Sequence, residues 1–227
     1  MTDPIAALDP RQRGQLAEFA RELARMNRRL NLVAPGTLAD VERVHLRHSL
    51  ALAHRPFAPG MTVVDWGAGG GLPTVPLAIA FPQTRWVAAD KVGKKMEAVR
   101  LFARRLGLDN LEVWHGRAEA YGGPPPHLAV SRATAPLATL WSWTAPALAE
   151  WDGDAPPEAR TPEPDAPGAS GARPWAPGSL LTLKGGDLTA EIAALPPALQ
   201  TRVTPLAEIL GPGYPQKALT ETRLGRA

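Results

Sequence analysis

The sequence predicts an α/β fold: a mostly parallel sheet with helices on both faces, preceded by a helical extension. Three observations predict it. From Met61 onward, short β-rich runs alternate with helical stretches, the pattern of a parallel sheet covered on both sides. Before Met61 the apolar residues recur every three or four positions instead, the period of an amphipathic helix. The first β-rich run leads straight into a cluster of glycines, VVDWGAGGGLP, a strand-to-helix bend in which the backbone can approach a ligand closely.

Taken in order, the first helix starts at Asp9 as cap with Pro10 in its first turn, the residue types that satisfy and shape a helix N-terminus. Leu16, Phe19, Leu23, Met26 and Leu30 then share one face. A second helix is expected over 38–53, where Leu38, Val41, His45 and Leu52 fall together. Residues 1–57 are therefore read as the helical extension and 58–227 as the sheet domain. Within the latter, MTVVDW, RWVAAD, LEVWHG, HLAVSR and SLLTLK read as strands. The stretches near 73–81 and 91–106 read as helices, the second stopped by Gly107. The segment 151–178 breaks the pattern, being rich in Pro, Gly, Ala and acids without apolar periodicity. Such a chain buries too little surface to offset its ordering entropy, so a disordered insertion is expected over 152–177, with Trp175 anchoring its far end. The C-terminal QKALTETRLGRA has no convincing apolar strand pattern.

Composition narrows the function. With 227 residues, 44% hydrophobic and 21% charged, the chain reads as a soluble globular protein with one sizeable core. It has no cysteine, which excludes disulfides, a thiolate nucleophile and cysteine-ligated metal. Its five histidines show no ligand spacing, and no metal is expected. The N-terminus lacks an apolar signal core, and no apolar run approaches the roughly 20 residues of a membrane span. A cytoplasmic monomer with no membrane partner is expected. The net charge is only +3, but Arg11, Arg13, Arg21, Arg25, Arg28 and Arg29 crowd the first helix, and Lys91, Lys94, Lys95, Arg100, Arg104 and Arg105 crowd another segment. Segregated positive charge suits either a polyanionic partner or a solvated helix face.

The glycine stretch can be tested against three cofactor classes. A phosphate loop needs Gly-Lys-Ser/Thr at its end, and no Lys-Ser or Lys-Thr follows Gly71. The dinucleotide fingerprint places its third glycine at position 72, which is Leu72 here, weakening a nicotinamide-dependent oxidoreductase reading. What remains is an acid at the strand end, Asp65, followed by G-x-G-x-G through Gly67, Gly69 and Gly71, with Asp90 closing the next strand. That order resembles motif I of class I S-adenosylmethionine-dependent methyltransferases. Asp90 fits both folds, since a carboxylate can accept from both ribose hydroxyls.

Further words follow in order: NLVAPGTLADVERVHLRHSL before the loop, then D-x-x-GKK at 90–95, GRAEAY at 116–121, VSRA at 130–133 and LKGG at 183–186. Together they resemble the GidB/RsmG family, bacterial methyltransferases acting on N7 of one guanine in 16S ribosomal RNA, over roughly Asn31 to Gly186. The resemblance implies a seven-stranded class I methyltransferase fold, S-adenosylmethionine as cofactor, and 16S ribosomal RNA or the small ribosomal subunit as partner. It implies that Asp65 helps fix the loop, that the glycines, Gly69 among them, let the backbone approach the methionine part of the cofactor, that Gly67 and Leu72 line the methionine and ribose side, and that Ala118 and Glu119 flank the adenine. Arg132 would sit at the cofactor's edge, with Arg132 and Lys184 the candidates near the reacting centre. Arg117 and Lys184 would face the substrate, and Arg28, Arg29, Lys94 and Lys95 would hold RNA phosphates.

The chain departs from the family pattern at three places. His48 stands where an acid usually follows His45 in His-x-x-Asp-Ser, Thr74 stands where glycine usually follows Leu-Pro, and Lys91 replaces a small or apolar residue. These leave open a divergent paralogue with another substrate, or a non-catalytic RNA-binding protein that retains the pocket. The tryptophans Trp66, Trp141, Trp143 and Trp151 suit either base stacking or buried packing.

Overall fold

The structure is a computed structural model that describes residues 3–132, 134–149 and 172–225. Helix α1 (Pro10–Leu30) begins with a reciprocal cap. The Asp9 carboxylate accepts from the Gln12 N–H at 2.8 Å, and the Gln12 side chain accepts from the Asp9 N–H at 3.0 Å. Leu16, Phe19 and Leu23 are buried beneath it. The chain leaves α1 through Asn31 in the left-handed region, and the buried Asn27 side chain accepts from the Val33 N–H at 2.8 Å.

The single helix expected over 38–53 is a chain of short helical pieces. A 3-10 stretch spans Pro35–Asp40, a π-helical turn Glu42–Arg47, one α-turn (α2) His48–Leu50, and a second 3-10 stretch Ala51–His54. The pitch changes at each junction, which one apolar period cannot report. The wide π turn buries His45 and Leu46.

The sheet contains β1 (Thr62–Trp66), β2 (Arg85–Asp90), β3 (Leu111–His115), β4 (Leu128–Arg132), β5 (Leu180–Gly185), β6 (Leu199–Pro205) and β7 (Lys217–Leu224), in the spatial order β3-β2-β1-β4-β5-β7-β6. The first five are parallel, and β7 runs antiparallel between β5 and β6. The C-terminal segment thus does form a strand. Leu219 is its one buried apolar residue, and the buried positions that follow it are polar: the Thr182 and Thr220 hydroxyls meet at 2.6 Å, and those of Thr201 and Thr222 at 2.9 Å. Cross-strand hydroxyl pairs replace apolar contacts there, and an apolar pattern is therefore absent.

Helices α3 (Thr74–Ala80), α4 (Gly93–Leu106) and α5 (Leu137–Thr144) follow β1, β2 and β4, with short α6 (Thr189–Ala193) and α7 (Leu206–Leu210) near the C-terminus. Side chains of β1 alternate between two cores. Val63 joins the larger, with α1, α3 and α4, and Val64 joins the smaller, with Leu140 and Trp141 of α5. The N-terminal segment shares this larger core. Phe19 meets Phe102 edge to face at 5.2 Å, and Gln15 Nε2 donates to the Leu106 carbonyl at 2.6 Å.

Residues 150–171, with Trp151 and most of the expected insertion, lie outside the described residues. Residues 172–177 are described. Trp175 is buried, its ring N–H donates to the Leu52 carbonyl at 2.9 Å, its backbone N–H donates to Pro56 at 3.0 Å, and the Arg55 guanidinium lies 4.5 Å from its ring centroid. Trp175 is the far-end anchor. No helix among the described residues is long and apolar enough to cross a membrane. Trp175→Ala should lower stability by about 3–5 kcal/mol, the usual cost of emptying a large aromatic site, and urea unfolding checks this through the transition midpoint.

Candidate functional site

β1 ends at the buried Asp65 and Trp66, and the chain then turns off the sheet. The Gly67 and Ala68 N–H groups both donate to the Ala89 carbonyl of β2, at 2.8 and 3.1 Å. Gly67 has φ +73°, and a Cβ there would overlap the Thr134 side chain, so conformation and space both require glycine. At Gly70 the demand is space alone, since a Cβ would lie 2.9 Å from Leu32 Cβ.

Asp90, at the end of β2, ties this bend to the next one. Its Oδ2 accepts from the Gly69 N–H at 3.0 Å and its Oδ1 from the Val92 N–H at 2.9 Å. A carboxylate has about four acceptor positions, so capacity remains for a ligand hydroxyl. Beyond β3, the Gly116 N–H donates to the Asp90 carbonyl at 3.1 Å and leads into the 3-10 turn Ala118–Ala120. These loops enclose a cavity of about 240 Å³ that includes Gly67, Asp90, Arg117, Ala118 and Glu119.

Thr134, which sequence reading did not single out, also lines this cavity, together with Trp143 and Lys91. The sequence leaves Trp143 open between stacking and packing, and marks Lys91 as part of the positive segment and as a departure from the family pattern. Thr134 follows the VSRA word by one residue, and its hydroxyl lies 3.2 Å from the Arg132 carbonyl. Trp143 sits on α5, which the strand–helix reading did not bound. Of the other tryptophans, Trp66 is fully buried, donating to Thr144 Oγ1 at 3.0 Å, and Trp141 packs in the smaller core. Neither offers a free face for a base.

Asp65, Leu72 and Arg132 lie behind the cavity wall and not on it. Leu72 is packed in the larger core. Asp65 Oδ2 accepts a short hydrogen bond from the Thr74 hydroxyl, while Oδ1 is buried with no partner among the described residues. Burial pushes the Asp65 carboxyl up to about 7, against the Thr74 hydroxyl and the Arg132 charge, which pull it down. Burial likewise draws Arg132 down to about 10, and the Asp65 charge opposes this. Next to them, burial and the Arg132 charge lower His45 to about 4. Burial lowers His48 to about 3, assisted by Arg132, Lys217 and His45.

The positive residues divide into committed and free ones. Lys184, expected to face substrate, is 7% exposed in its side chain, and its ammonium donates to the Ala135 carbonyl at 2.5 Å and to Glu191 at 2.8 Å. Glu191 also accepts from the Leu137 N–H at 2.9 Å. Lys184 thus braces the start of α5, because a buried ammonium needs a partner, and it has no free reach to RNA. Arg21 and Arg25 pair with Glu18 and Glu22 on α1. Arg28, Arg29, Lys94, Lys95 and Arg117 have no ion-pair partner among the described residues, and all but the half-buried Lys95 are exposed. No group of three or more His, Asp or Glu among the described residues is placed to hold a metal ion.

Residues 12–153 match the model of the GidB family, described as rRNA small subunit methyltransferase G. A ribosomal RNA small subunit methyltransferase G from Salinibacter ruber is 47% identical over 192 residues, covering 85% of this chain and 81% of that protein. One from Chlorobium luteolum is 42% identical over 135 residues, covering 59% of this chain and 57% of its own length. Among solved structures, the ribosomal protein L11 methylase of Lactobacillus delbrueckii subsp. bulgaricus superposes with a TM-score of 0.55 at 13% identity, covering 81% of this chain and 79% of that one. A chain of a fibrillarin/Nop5p complex gives 0.53 at 10%, covering 79% and 80%. At such identities the likeness is one of fold: class I methyltransferases share this α/β architecture.

The buried histidines set a pH dependence. Unfolded, each takes a proton near its ordinary 6.5, but folded His48 refuses one until about 3. Acidification below about 6.5 therefore draws the equilibrium toward the unfolded chain. Asp65 acts oppositely, because its folded value of about 7 exceeds its ordinary 3.8, so acid favours the fold in that window. His48→Gln removes one acid-sensitive group and leaves Asp65 in place. Its melting temperature relative to wild type should rise as the pH falls from about 7.5 to about 5; a constant difference would show that His48 carries no such burden.

Proposed function

The chain belongs to the GidB family, and from that premise we propose that it is an S-adenosylmethionine-dependent methyltransferase acting on N7 of a guanine in 16S ribosomal RNA. One observation carries the reading: the cavity at the carboxyl ends of the strands brings Gly67, Asp90, Ala118 and Glu119 together. Ligands of open α/β sheets bind in this crevice. The residues fit a nucleoside. Asp90 is held by two backbone donors and keeps acceptor capacity for ribose hydroxyls. Gly67 offers an approach to the backbone, and the Ala118–Ala120 turn supplies a wall for the adenine. S-adenosylmethionine, when bound, supplies an electrophilic methyl group.

Guanine N7 carries an in-plane lone pair and no proton, so its alkylation needs no general base. The protein's task is then to hold the acceptor in line and exclude other geometries, an orienting effect worth roughly 7–11 kcal/mol at its best. The cations without ion-pair partners suit RNA phosphates. Leu23 and Leu32 flank Gly70, bringing the end of α1, with Arg28 and Arg29, beside the glycine bend. Lys94 and Lys95 occupy the first turn of α4, just after Asp90. The substrate would be 16S RNA, free or within the small ribosomal subunit, in the cytoplasm.

The direct test is mass-spectrometric mapping of N7-methylguanosine in 16S RNA from cells with and without the protein, together with methyl transfer by the purified chain. An unchanged map and an inert protein would overturn the reading. Gly67→Val should lose cofactor binding measurable by calorimetry, because a β-branched residue at φ +73° is strained and meets Thr134; near-normal affinity would refute the loop's role. Replacing Lys94 and Lys95 by alanine should weaken RNA binding and flatten the dependence of log K on log salt by about 1 for each phosphate that is no longer neutralised. An unaltered slope would remove these lysines from the interface.

A further inference from the structure

A line of polar contacts runs from the N-terminal segment to the end of β4, and nothing in the cavity accounts for it. Thr37 Oγ1 donates to the Ala34 carbonyl at 2.7 Å and lies 2.6 Å from His45 Nε2. His45 Nδ1 lies 3.2 Å from Arg132 Nη1. Arg132 in turn feels the charge of Asp65, the carboxyl beneath the glycine bend. Resting on the methyltransferase reading of the site, we infer that Thr37 and His45 are positioning residues, which orient the Arg132 guanidinium by fixing the imidazole as its neutral Nε2–H tautomer.

The direction of each bond follows from proton counting. A hydroxyl has one proton, and that of Thr37 is given to Ala34, so the threonine oxygen can only accept from His45 Nε2. Nε2 therefore carries the imidazole hydrogen, and Nδ1 presents a lone pair. A guanidinium can only donate, so Arg132 Nη1–H and that lone pair are the one compatible match. The other tautomer would set N–H against N–H at Arg132 and leave Nε2 with no donor from Thr37. Burial and the Arg132 charge from β4 favour the neutral ring, while Lys217 at the start of β7 acts on the neighbouring His48; a charge on Asp65 of β1, beyond Arg132, would act the other way. The consequence reaches the cavity through the main chain, because Thr134, which touches Gly67, also hydrogen-bonds the Arg132 carbonyl. An arginine released from His45 would let this strand end, and the loop resting on Gly67, shift.

The test uses the full chain with histidine ring nitrogens labelled for NMR, in the presence of S-adenosylhomocysteine. His45 should show a protonated Nε2 and an unprotonated Nδ1, and it should stay neutral on acidification to about pH 5. Thr37→Val is nearly isosteric but cannot accept from Nε2. It should mix the tautomers and lower kcat for methyl transfer to 16S RNA about tenfold, the scale of one hydrogen bond to a charged group. S-adenosylhomocysteine affinity should stay within about twofold, because Arg132 lies behind the cavity wall. Thr37→Ser, which keeps the acceptor, should restore both the tautomer and the rate. If Thr37→Val does not fold, His45→Asn, with an acceptor near the Nδ1 position, against His45→Leu makes the same comparison. A wild-type protein that transfers no methyl to ribosomal RNA sinks the reading of the site. A wild-type protein that does so with the hydrogen on Nδ1 sinks the relay alone, as does undiminished turnover in Thr37→Val.

Discussion

The whole site hangs from the place where β1 runs out of sheet. Parallel neighbours on both sides, β2 and β4, pair with β1 up to Trp66 and Asp65 respectively, so the chain can continue only by leaving the plane. It leaves toward the larger core through α3, whereas the chain after β4 leaves toward the smaller core through α5. Two connections departing to opposite faces from adjacent strands open a crevice at the strand ends, which no side chain needs to create. The crevice takes its definite shape from Asp90, whose carboxylate holds the Gly69 and Val92 backbones at once. One acid thereby sets the spacing of two loops.

The N-terminal segment is the outer support of that bend. Leu23 and Leu32 lie against Gly70, and Val99 of α4 approaches Gly71. α1 and α4 pack antiparallel, with Gln15 at Leu106 and Phe19 at Phe102, which carries the free arginines of one helix and the free lysines of the other to the same end of the sheet. The same apolar contacts that stabilise the loop therefore also place positive charge at the cavity's rim. The salt bridges of Glu22 with Arg25 and Arg105 offset part of the positive charge where the two helices meet. The sequence-level charge cluster is larger than the surface it leaves available.

Legibility tracked how local the cause was. The Asp9 cap, the β1–β5 runs, the stop at Gly107 and the glycine bend each follow from neighbouring residues, and they are visible in the chain. Trp175 was legible as an anchor because an isolated large aromatic in a Pro-rich stretch has few other roles. β7 was not, since its interior threonines are satisfied by hydroxyls on β5 and β6, partners that only the sheet order supplies. The second helix was misread because 3-10 and π turns keep an approximate helical period while changing which side chains turn inward. Lys184 illustrates the same limit for a single residue: its LKGG setting pointed to substrate, whereas its partner Glu191 lies on a helix too short to announce itself.

Two departures from the family pattern meet at Arg132. Where relatives usually carry an acid, His48 is neutral, with a buried Nε2 that has no partner among the described residues, and it adds no countercharge. Asp65 is then the carboxyl whose charge sustains Arg132. A carboxyl in so dry a place tends to keep its proton, and the influences that pull it back toward the ionised form begin with the Thr74 hydroxyl. Thr74 is itself the second departure, standing where glycine, with no hydroxyl, is usual. In this chain the charge that faces Arg132 comes from the strand beneath the glycine bend. Arg132 is thereby bound electrostatically to the loop at the cavity, while its link to the N-terminal segment rests on a neutral imidazole.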